Sequence, residues 1–276
     1  MRKIGIMQGR LLPRYKNRYQ SHPVNYWQAE FYIAKELGFS QIEFIFDYDN
    51  YQDNPLMSKE GIRNIKAISK QTGVKVKSIC ADYFMEAPFH SEHKKQSEKI
   101  LKELILNVKE LNIIDIVIPC VDQSSIKSNN NMKSFVSSIH KILPTAEKYN
   151  VNINFETDLN PKKFKKLLCS FDSKYIKVNY DIGNSSSLGY DPKEEFEAYG
   201  EYISDLHIKD RILGGGSVKL GTGNVNFKMV FKLLKSYKFN GNIIMQAARD
   251  DSYTDDLKFV KSQKDFLNKY IKKYLS

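Results

Sequence analysis

The 276-residue sequence has few of the features that mark secreted or membrane proteins. Its three cysteines have no paired spacing, which argues against a disulfide framework and suits a reducing compartment. No run of about 18 apolar residues is present, so we expect no membrane-spanning helix. The N-terminus has no apolar signal region before a cleavage site. We therefore expect the mature protein to start there and to act in the cytoplasm.

The chain also lacks internal boundaries and a dinucleotide-binding turn. No linker, low-complexity block or proline- and glycine-rich hinge divides it, so we expect one domain covering residues 1–276. The first β-branched run leads into "QGRLLPRY", which has one glycine. Dinucleotide-binding proteins usually carry Gly-x-Gly-x-x-Gly at this turn, so an open doubly wound sheet is the weaker of two fold predictions.

The charge is strongly basic, at +11, from 43 basic and 32 acidic residues. A basic surface can attract a sugar phosphate or a nucleic acid. The lysine clusters, however, fall on segments with helical spacing, and no basic stretch interleaved with aromatics forms a defined nucleic-acid motif. We therefore interpret the charge as lysine-biased composition and do not expect a nucleic-acid partner.

Short apolar runs rich in β-branched residues alternate with segments of helical periodicity. The runs lie at residues 3–8, 41–46, 74–81, 114–120, 151–156, 175–181, 202–208 and 242–247. In the helical segments, Gly38 is expected to end the first helix and Asn226 to cap a later one that stops at Gly241. Strand–helix alternation predicts parallel pairing with right-handed crossovers, and eight such units predict an α/β protein with a single (β/α)₈ TIM barrel.

Four polar side chains close the last four apolar runs: Glu156, Asp181, His207 and Gln246. TIM barrels carry their chemistry at the carboxyl ends of the strands. A buried carboxylate there costs several kcal/mol unless it is paired or binds a metal. Two carboxylates, an imidazole and an amide oxygen suit one divalent ion, Mn²⁺, Mg²⁺, Co²⁺ or Zn²⁺. The absence of a thiolate argues against a structural zinc site.

Each of these residues also has an ordinary structural explanation. His207 can be a hydrogen-bonded core residue, and Asp181 can cap the turn that follows it. Glu156 can pair with a neighbouring lysine, and Gln246 can be a satisfied core amide. The four together, in register at one rim, favour the metal site.

The loop after His207, "KDRILGGGS", is a candidate phosphate site, because barrels often bind phosphate after strands seven and eight. Lys209 and Arg211 supply charge, Gly215 and Ser217 allow close approach of an anion, and Asp210 is expected to orient Arg211. The alternative is a solvated glycine-rich surface loop. Further substrate-binding candidates are Gln8 and His90. Second-rank candidates for substrate hydroxyls are Arg10, Glu43, Asp47, Asp82, Asp122 and Gln123, with Tyr83 and Phe84 as an apolar wall.

The blocks "VNYDIGNSSSLGYDP", "DLHIKDRILGGGSVKLGTGNVNF" and "MQAARDD" resemble the xylose isomerase-like TIM barrels. Similarity runs through the whole chain and is greatest to the sugar phosphate isomerase/epimerase group, which includes L-ribulose-5-phosphate 3-epimerase-like and tagatose 3-epimerase-like enzymes. The resemblance implies that Glu156, Asp181, His207 and the position of Gln246 hold one divalent ion, and that the residues at 156 and 246 exchange protons with the substrate. Relatives are often dimers or tetramers, which leaves a homo-oligomer open.

Two positions depart from that family pattern. Gln246 replaces a glutamate, and Asn184 stands where some members have histidine. An amide can ligate through its oxygen but cannot accept a proton, so two-base epimerisation through position 246 is in doubt, whereas one-base aldose–ketose isomerisation is not. We hypothesise a metal-dependent isomerase or epimerase of a ketose or sugar phosphate, in which a metal-stabilised enediolate forms and Glu156 is the base.

Two other functions stay open on the same scaffold. One is another enzyme, such as an inosose-type dehydratase or an AP endonuclease; the endonuclease is disfavoured because its three-metal cluster needs more histidines than the five present here. The other is a catalytically weak sugar-binding barrel, which Gln246 makes plausible.

Overall fold

A computed structural model of the chain describes residues 2–249 and 256–275. Residues 1, 250–255 and 276 of the predicted domain lie outside the described residues, and so do the last two residues of "MQAARDD". The eight predicted strands form a closed barrel in the order β1-β8-β7-β6-β5-β4-β3-β2. Its strands are β1 (Gly5–Met7), β2 (Gln41–Ile45), β3 (Lys75–Cys80), β4 (Asp115–Cys120), β5 (Asn152–Thr157), β6 (Ile176–Asp181), β7 (Ile203–Ile208) and β8 (Asn242–Met245).

Helices follow the strands and surround the barrel. They are α1 (Trp27–Glu36), α2 (Lys59–Thr72), α3 (Tyr83–Glu86), α4 (Lys94–Val108), α5 (Asn129–Tyr149), α6 (Pro161–Leu168), α7 (Ile182–Leu188), α8 (Pro192–Tyr199), α9 (Phe227–Ser236) and α10 (Asp256–Tyr274). A short antiparallel hairpin, Asp210–Arg211 with Ser217–Val218, lies in the loop after β7. The TIM barrel prediction is confirmed. Among the described helices, none has both the length and the apolar character required to cross a bilayer.

Local sequence explains where the helices begin and end. The Asn226 side chain accepts a hydrogen bond from the Met229 N–H and caps α9, as predicted. That helix ends at Ser236, before the predicted stop at Gly241. Gly38, with a φ of +69°, follows α1 in the left-handed conformation that favours glycine.

Every barrel strand pairs in parallel with its neighbours, which aligns their carboxyl ends. Asp181 at the end of β6 is the register partner of His207 on β7. On the other side, His207 is the partner of Ile244 on β8. The parallel register therefore places the predicted site residues on adjacent strands at one end of the barrel.

The core lies between the strands and the helices, and it includes two residues predicted for the substrate pocket. Tyr83 and Phe84 are 0% and 1% exposed. Tyr83 stacks on Phe46 and Phe84 stacks on Phe89, so both rings pack inside the protein. The prediction that they form an apolar wall for the sugar is wrong, because α3 turns these rings inward.

Candidate active site at the carboxyl ends of the strands

A cavity of about 320 Å³ opens at the carboxyl ends of the strands. This volume lies at the lower end of the range for small-molecule sites. Residues at or just beyond the carboxyl end of each of the eight strands line it. They are Arg10, Arg18, Tyr19, Gln20, Asp47, Tyr48, Cys80, Asp82, Met85, Glu86, Pro119, Val121, Asp122, Gln123, Glu156, Asn184, Lys209, Arg211, Ser217 and Gln246.

His207 lies beneath this cavity with no exposed surface. Its Nε2 is 2.6 Å from Glu43 Oε1, while its Nδ1 faces Glu156 Oε2 at 3.4 Å and Asp181 Oδ2 at 3.9 Å. Burial disfavours the charged imidazole, but Glu43 and Glu156 outweigh it and raise the pKa of His207 well above its usual value. The contact with Glu43 fixes the ring, so that Nδ1 is the nitrogen presented to the two acids.

Glu156, near the end of β5, is held by two amides. Asn179 Nδ2 donates to its Oε2 and Asn184 Nδ2 donates to its Oε1, both at 2.8 Å. Burial would raise the pKa of Glu156, but the hydrogen bond and charge of His207, together with Lys209, lower it to about 2. Glu156 is therefore an ionised carboxylate in a fixed orientation at the cavity wall.

Asp181 performs two roles with its two oxygens. Its Oδ1 accepts hydrogen bonds from the Gly183 and Asn184 N–H groups and so caps α7, as the structural explanation proposed. Its Oδ2 lies 2.7 Å from Lys209 Nζ. Burial raises the pKa of Asp181, although the Lys209 charge opposes the shift.

Gln246 lies directly after β8 with both ends of its amide engaged. Lys209 Nζ donates to its Oε1 at 3.0 Å, and its Nε2 donates to Gln20 Oε1 at 2.9 Å. The same ammonium therefore contacts Gln246 and Asp181, which shows that the oxygens of these two residues converge on one point. The prediction of a satisfied amide and the prediction of a ligand position are both compatible with this geometry.

Three of the predicted ligands fit a divalent ion. Glu156, Asp181 and His207 each present one ligand atom, and these atoms lie within 4.8 Å of one another. All three residues are buried, and the set of two carboxylates and one imidazole suits Mn²⁺, Co²⁺ or Zn²⁺. The Glu43 contact to the far nitrogen of His207 is the orienting contact that metal-bound histidines usually have.

The loop after β7 is ordered by its own hydrogen bonds. Arg211 Nε and Nη2 donate to the Gly215 carbonyl at 3.0 and 2.8 Å, and Nη1 donates to Asn184 Oδ1 at 2.8 Å. Ser217 lines the cavity with Arg211. The prediction that Asp210 orients Arg211 is wrong. The carboxylate of Asp210 instead accepts hydrogen bonds from the Gly221, Gly223 and Val225 N–H groups and closes the loop.

Three substrate-binding candidates lie away from the cavity lining. Gln8 is buried, and its Oε1 accepts from the Ile45 N–H at 2.9 Å and lies 3.0 Å from His22 Nδ1. His90 lies in the third loop but not at the cavity. Gly215 also lies outside the lining and contributes through Arg211.

Sequence reasoning missed Asn179 and Gln20. Asn179 precedes Asp181 by two residues on β6, so both point to the same face of the strand, and that period-two spacing is a signal that could have identified it. Gln20 lies in the loop between β1 and α1, and nothing local predicts its contact with Gln246 across 226 residues of sequence.

Comparison with known proteins agrees with the fold. The family model described as "Xylose isomerase-like TIM barrel" matches residues 31–263. The chain is 26% identical over 256 residues to the putative L-ribulose-5-phosphate 3-epimerase SgbU of Haemophilus influenzae, covering 86% of this chain and 89% of the relative. It is 25% identical over 231 residues to the L-ribulose-5-phosphate 3-epimerase UlaE of Escherichia coli O1:K1 / APEC, covering 80% and 81%.

Solved structures with the same fold are also found. A xylose isomerase domain protein from Planctomyces limnophilus superposes with a TM-score of 0.78 at 15% identity and covers 99% of this chain and 98% of its own. An L-ribulose 3-epimerase gives 0.77 at 16% identity, with 99% and 96% coverage. The IolI protein with a bound zinc atom gives 0.77 at 16% identity, with 99% of both chains covered. With the family model matching most of its length, this chain belongs to the xylose isomerase-like TIM barrel family.

Proposed function

We propose that this protein is a divalent-metal-dependent isomerase or epimerase that acts on a ketose or a sugar phosphate. The observation that carries the proposal is the convergence of Glu156, Asp181 and His207 at the carboxyl end of the barrel, next to a cavity of small-molecule size. The curated relatives above are epimerases of a ketose phosphate, which supports this reaction class and does not favour a dehydratase or an endonuclease.

Glu156, Asp181 and His207 would hold the ion, with the Gln246 oxygen as the fourth predicted ligand. When bound, the ion would polarise the substrate carbonyl and stabilise negative charge on its oxygen. The zinc atom in the IolI structure supports a divalent ion, and we keep Mn²⁺, Mg²⁺, Co²⁺ and Zn²⁺ as candidates. Asp181 and Gln246 can bind the ion only if the Lys209 ammonium moves away from their oxygens.

Glu156 would remove the proton next to the carbonyl. It is ionised, faces the cavity, and is held by Asn179 and Asn184, so its orientation needs no rearrangement before reaction. Gln246 cannot take or give this proton, because a primary amide does not titrate in the physiological range. Its part is to hold substrate or metal, in contact with Lys209 and Gln20.

Arg211, Lys209 and Ser217 would bind the far end of the substrate. Arg211 is held by the Gly215 carbonyl and by Asn184, which aims its guanidinium along the cavity wall. A fixed guanidinium matches the geometry of a phosphate group. We also expect the protein to act in the cytoplasm without a nucleic-acid partner, and a homo-oligomer stays open.

Incubation of the purified protein with a ketose panel tests the proposal. L-Ribulose, D-tagatose, D-fructose and L-ribulose 5-phosphate would be supplied with each of the four metals in turn, and products followed by nuclear magnetic resonance. We expect interconversion of at least one sugar that is lost on chelation and recovers when metal is returned. Turnover that is unaffected by chelation would contradict the metal dependence, and a binding signal without any turnover would favour a sugar-binding barrel.

A further inference from the structure

The cavity is lined by a second titratable side chain that can exchange protons, and it follows β3, two strands from Glu156 on β5 in the barrel order. Among the residues that the structure describes, five acidic side chains line the cavity. Asp47 is engaged by the His22 N–H and by Arg18, and Glu86 and Asp122 lie at the exposed rim. Asp82, two residues after the end of β3, is partly buried and lines the cavity.

A chain of hydrogen bonds with a fixed direction holds Asp82. Arg10 can only donate, so its Nη2 must face the side-chain oxygen of Gln20. The Nε2 of Gln20 therefore points the other way and donates to Asp82 Oδ2 at 2.9 Å. The thiol of Cys80 lies 3.2 Å from the other oxygen, Asp82 Oδ1. Gln20 comes from the loop after β1, which stands opposite β5 and Glu156 in the eight-stranded order.

The same chain explains the amide at position 246. Lys209 is also a donor only, so Gln246 must present its oxygen to Lys209 and its N–H to the oxygen of Gln20. A carboxylate at 246 would place an acceptor against the oxygen of Gln20. The hydrogen-bond partners of residue 246 therefore require one donor and one acceptor, which an amide supplies. Gln20 contacts both this amide, which does not titrate, and the carboxyl group of Asp82, which does.

We propose that Asp82 is the second proton-exchanging residue of the site and that Gln20 is its positioning residue. This inference rests on the proposed function. Glu156 accepts the proton as the substrate C–H bond breaks and its electron pair forms the enediolate. Protonated Asp82 then donates its proton to the opposite face of the same carbon, the C–H bond re-forms, and the epimer carries the carbonyl again.

The step balances without an oxidant or reductant. Glu156 ends as a carboxylic acid and Asp82 as a carboxylate, and the reverse reaction uses them in exchanged roles. Burial, together with the charge of Glu156, raises the pKa of Asp82, even though Gln20 and Cys80 donate to it. A raised pKa favours the protonated form of Asp82 that the donating step requires.

Deuterium exchange measured from both epimers tests this assignment. Each epimer of a substrate that the wild type converts would be incubated in deuterated water with the wild type, Asp82→Asn, Asp82→Glu, Glu156→Gln and the exposed control Asp265→Asn. We expect Asp82→Asn to slow epimer formation at least 100-fold. With Asp82→Asn, the rate of deuterium exchange from the epimer that Glu156 deprotonates should stay within about threefold of the wild type, and exchange from the other epimer should be lost. With Glu156→Gln, the epimer that keeps exchange and the epimer that loses it should be reversed. Asp82→Glu should recover part of the lost exchange.

The other outcomes separate the two proposals. Epimer formation by Asp82→Asn within threefold of the wild type would overturn the role of Asp82 while leaving the proposed function intact. An equal slowing of exchange from both epimers would also overturn it, because that is the result of a merely structural role. A wild type that neither converts nor exchanges any sugar of the panel with any of the four metals would overturn the proposed function, and this inference with it.

Discussion

The two ends of the barrel both bury acidic side chains, but those side chains face different partners. At the amino end, Asp115 is 1% exposed, and its oxygens accept from Asn152, Ser204 and Asn242 at 2.7–2.9 Å. Every one of these partners is a neutral donor from the start of β5, β7 or β8, so the carboxyl group on β4 links four strands together.

At the carboxyl end, the acids converge on one another and on charged groups. Glu156 and Asp181 both face His207 Nδ1, and Lys209 contacts Asp181 at 2.7 Å. Glu156 and Lys209 of this group line the cavity, whereas Asp115 does not. Burial alone therefore does not distinguish a functional cluster from a structural one; convergence of ligand atoms beside a cavity does.

Glu156→Gln should abolish proton transfer at the carboxyl end of the barrel, with a smaller effect on the stability of the fold. The amide keeps the shape and a hydrogen-bonding oxygen but cannot accept a proton, so we expect kcat to fall about 1,000-fold, within the range for loss of a general base. The free energy of unfolding should fall by about 2 kcal/mol, because the amide offers one acceptor oxygen to the two donors Asn179 and Asn184. Steady-state kinetics with metal content measured on the same samples check this, and full turnover with metal still bound would show that Glu156 is not the base.

Asp115→Ala should do the opposite. It removes the shared acceptor of Asn152, Ser204 and Asn242 and leaves buried donors unsatisfied, so we expect a loss of about 3 kcal/mol in unfolding free energy. The kcat per folded molecule should stay within about twofold of the wild type, since Asp115 lies at the other end of the barrel. Urea unfolding measures the first quantity. A large loss of kcat with unchanged stability would reverse the roles assigned to the two ends.

Arg211→Ala should separate substrate binding from proton transfer at the carboxyl end of the barrel. Loss of the guanidinium should lower kcat/KM for a ketose phosphate about 30-fold, or about 2 kcal/mol, and for the matching free ketose less than about threefold. Arg18→Ala, at the exposed side of the same cavity, is the matched control for general loss of positive charge. Equal effects of Arg211→Ala on both substrates would exclude a phosphate role for this loop.

Lys209→Met should have the smallest effect, and in the direction of tighter metal binding. The ammonium contacts oxygens of Asp181 and Gln246, two of the proposed ligands, and repels a second cation placed there. We expect affinity for a divalent ion to rise about tenfold, measured by isothermal titration calorimetry. A weaker affinity in this variant would mean that Lys209 supports the ion's site instead of competing for it.

The sequence predicted the strands and the acids at their ends because both depend on local pattern. Period-two and period-3.6 spacing decides which segments are strands or helices, and parallel pairing then brings Glu156, Asp181 and His207 to one end of the barrel. The prediction of these residues required no knowledge of loop structure.

The loops could not be predicted in the same way, because distant contacts decide them. Gln8 is turned away from the cavity by the Ile45 N–H, and Asp210 is committed to three N–H groups of its own loop. The contacts of Gln246 with Lys209 and Gln20 join three loops that are far apart in sequence. Such contacts follow from the closed barrel and have no signature in a short stretch of residues.

Metal analysis of the purified protein beside an Asp181→Ala/His207→Ala variant tests the central claim most directly. Inductively coupled plasma mass spectrometry should find about one divalent ion per chain in the metal-supplied wild type and almost none in the variant, whose remaining ligands are too few to hold one. A wild type that retains no ion, or a variant that retains as much as the wild type, would contradict a metal site at the ends of these strands.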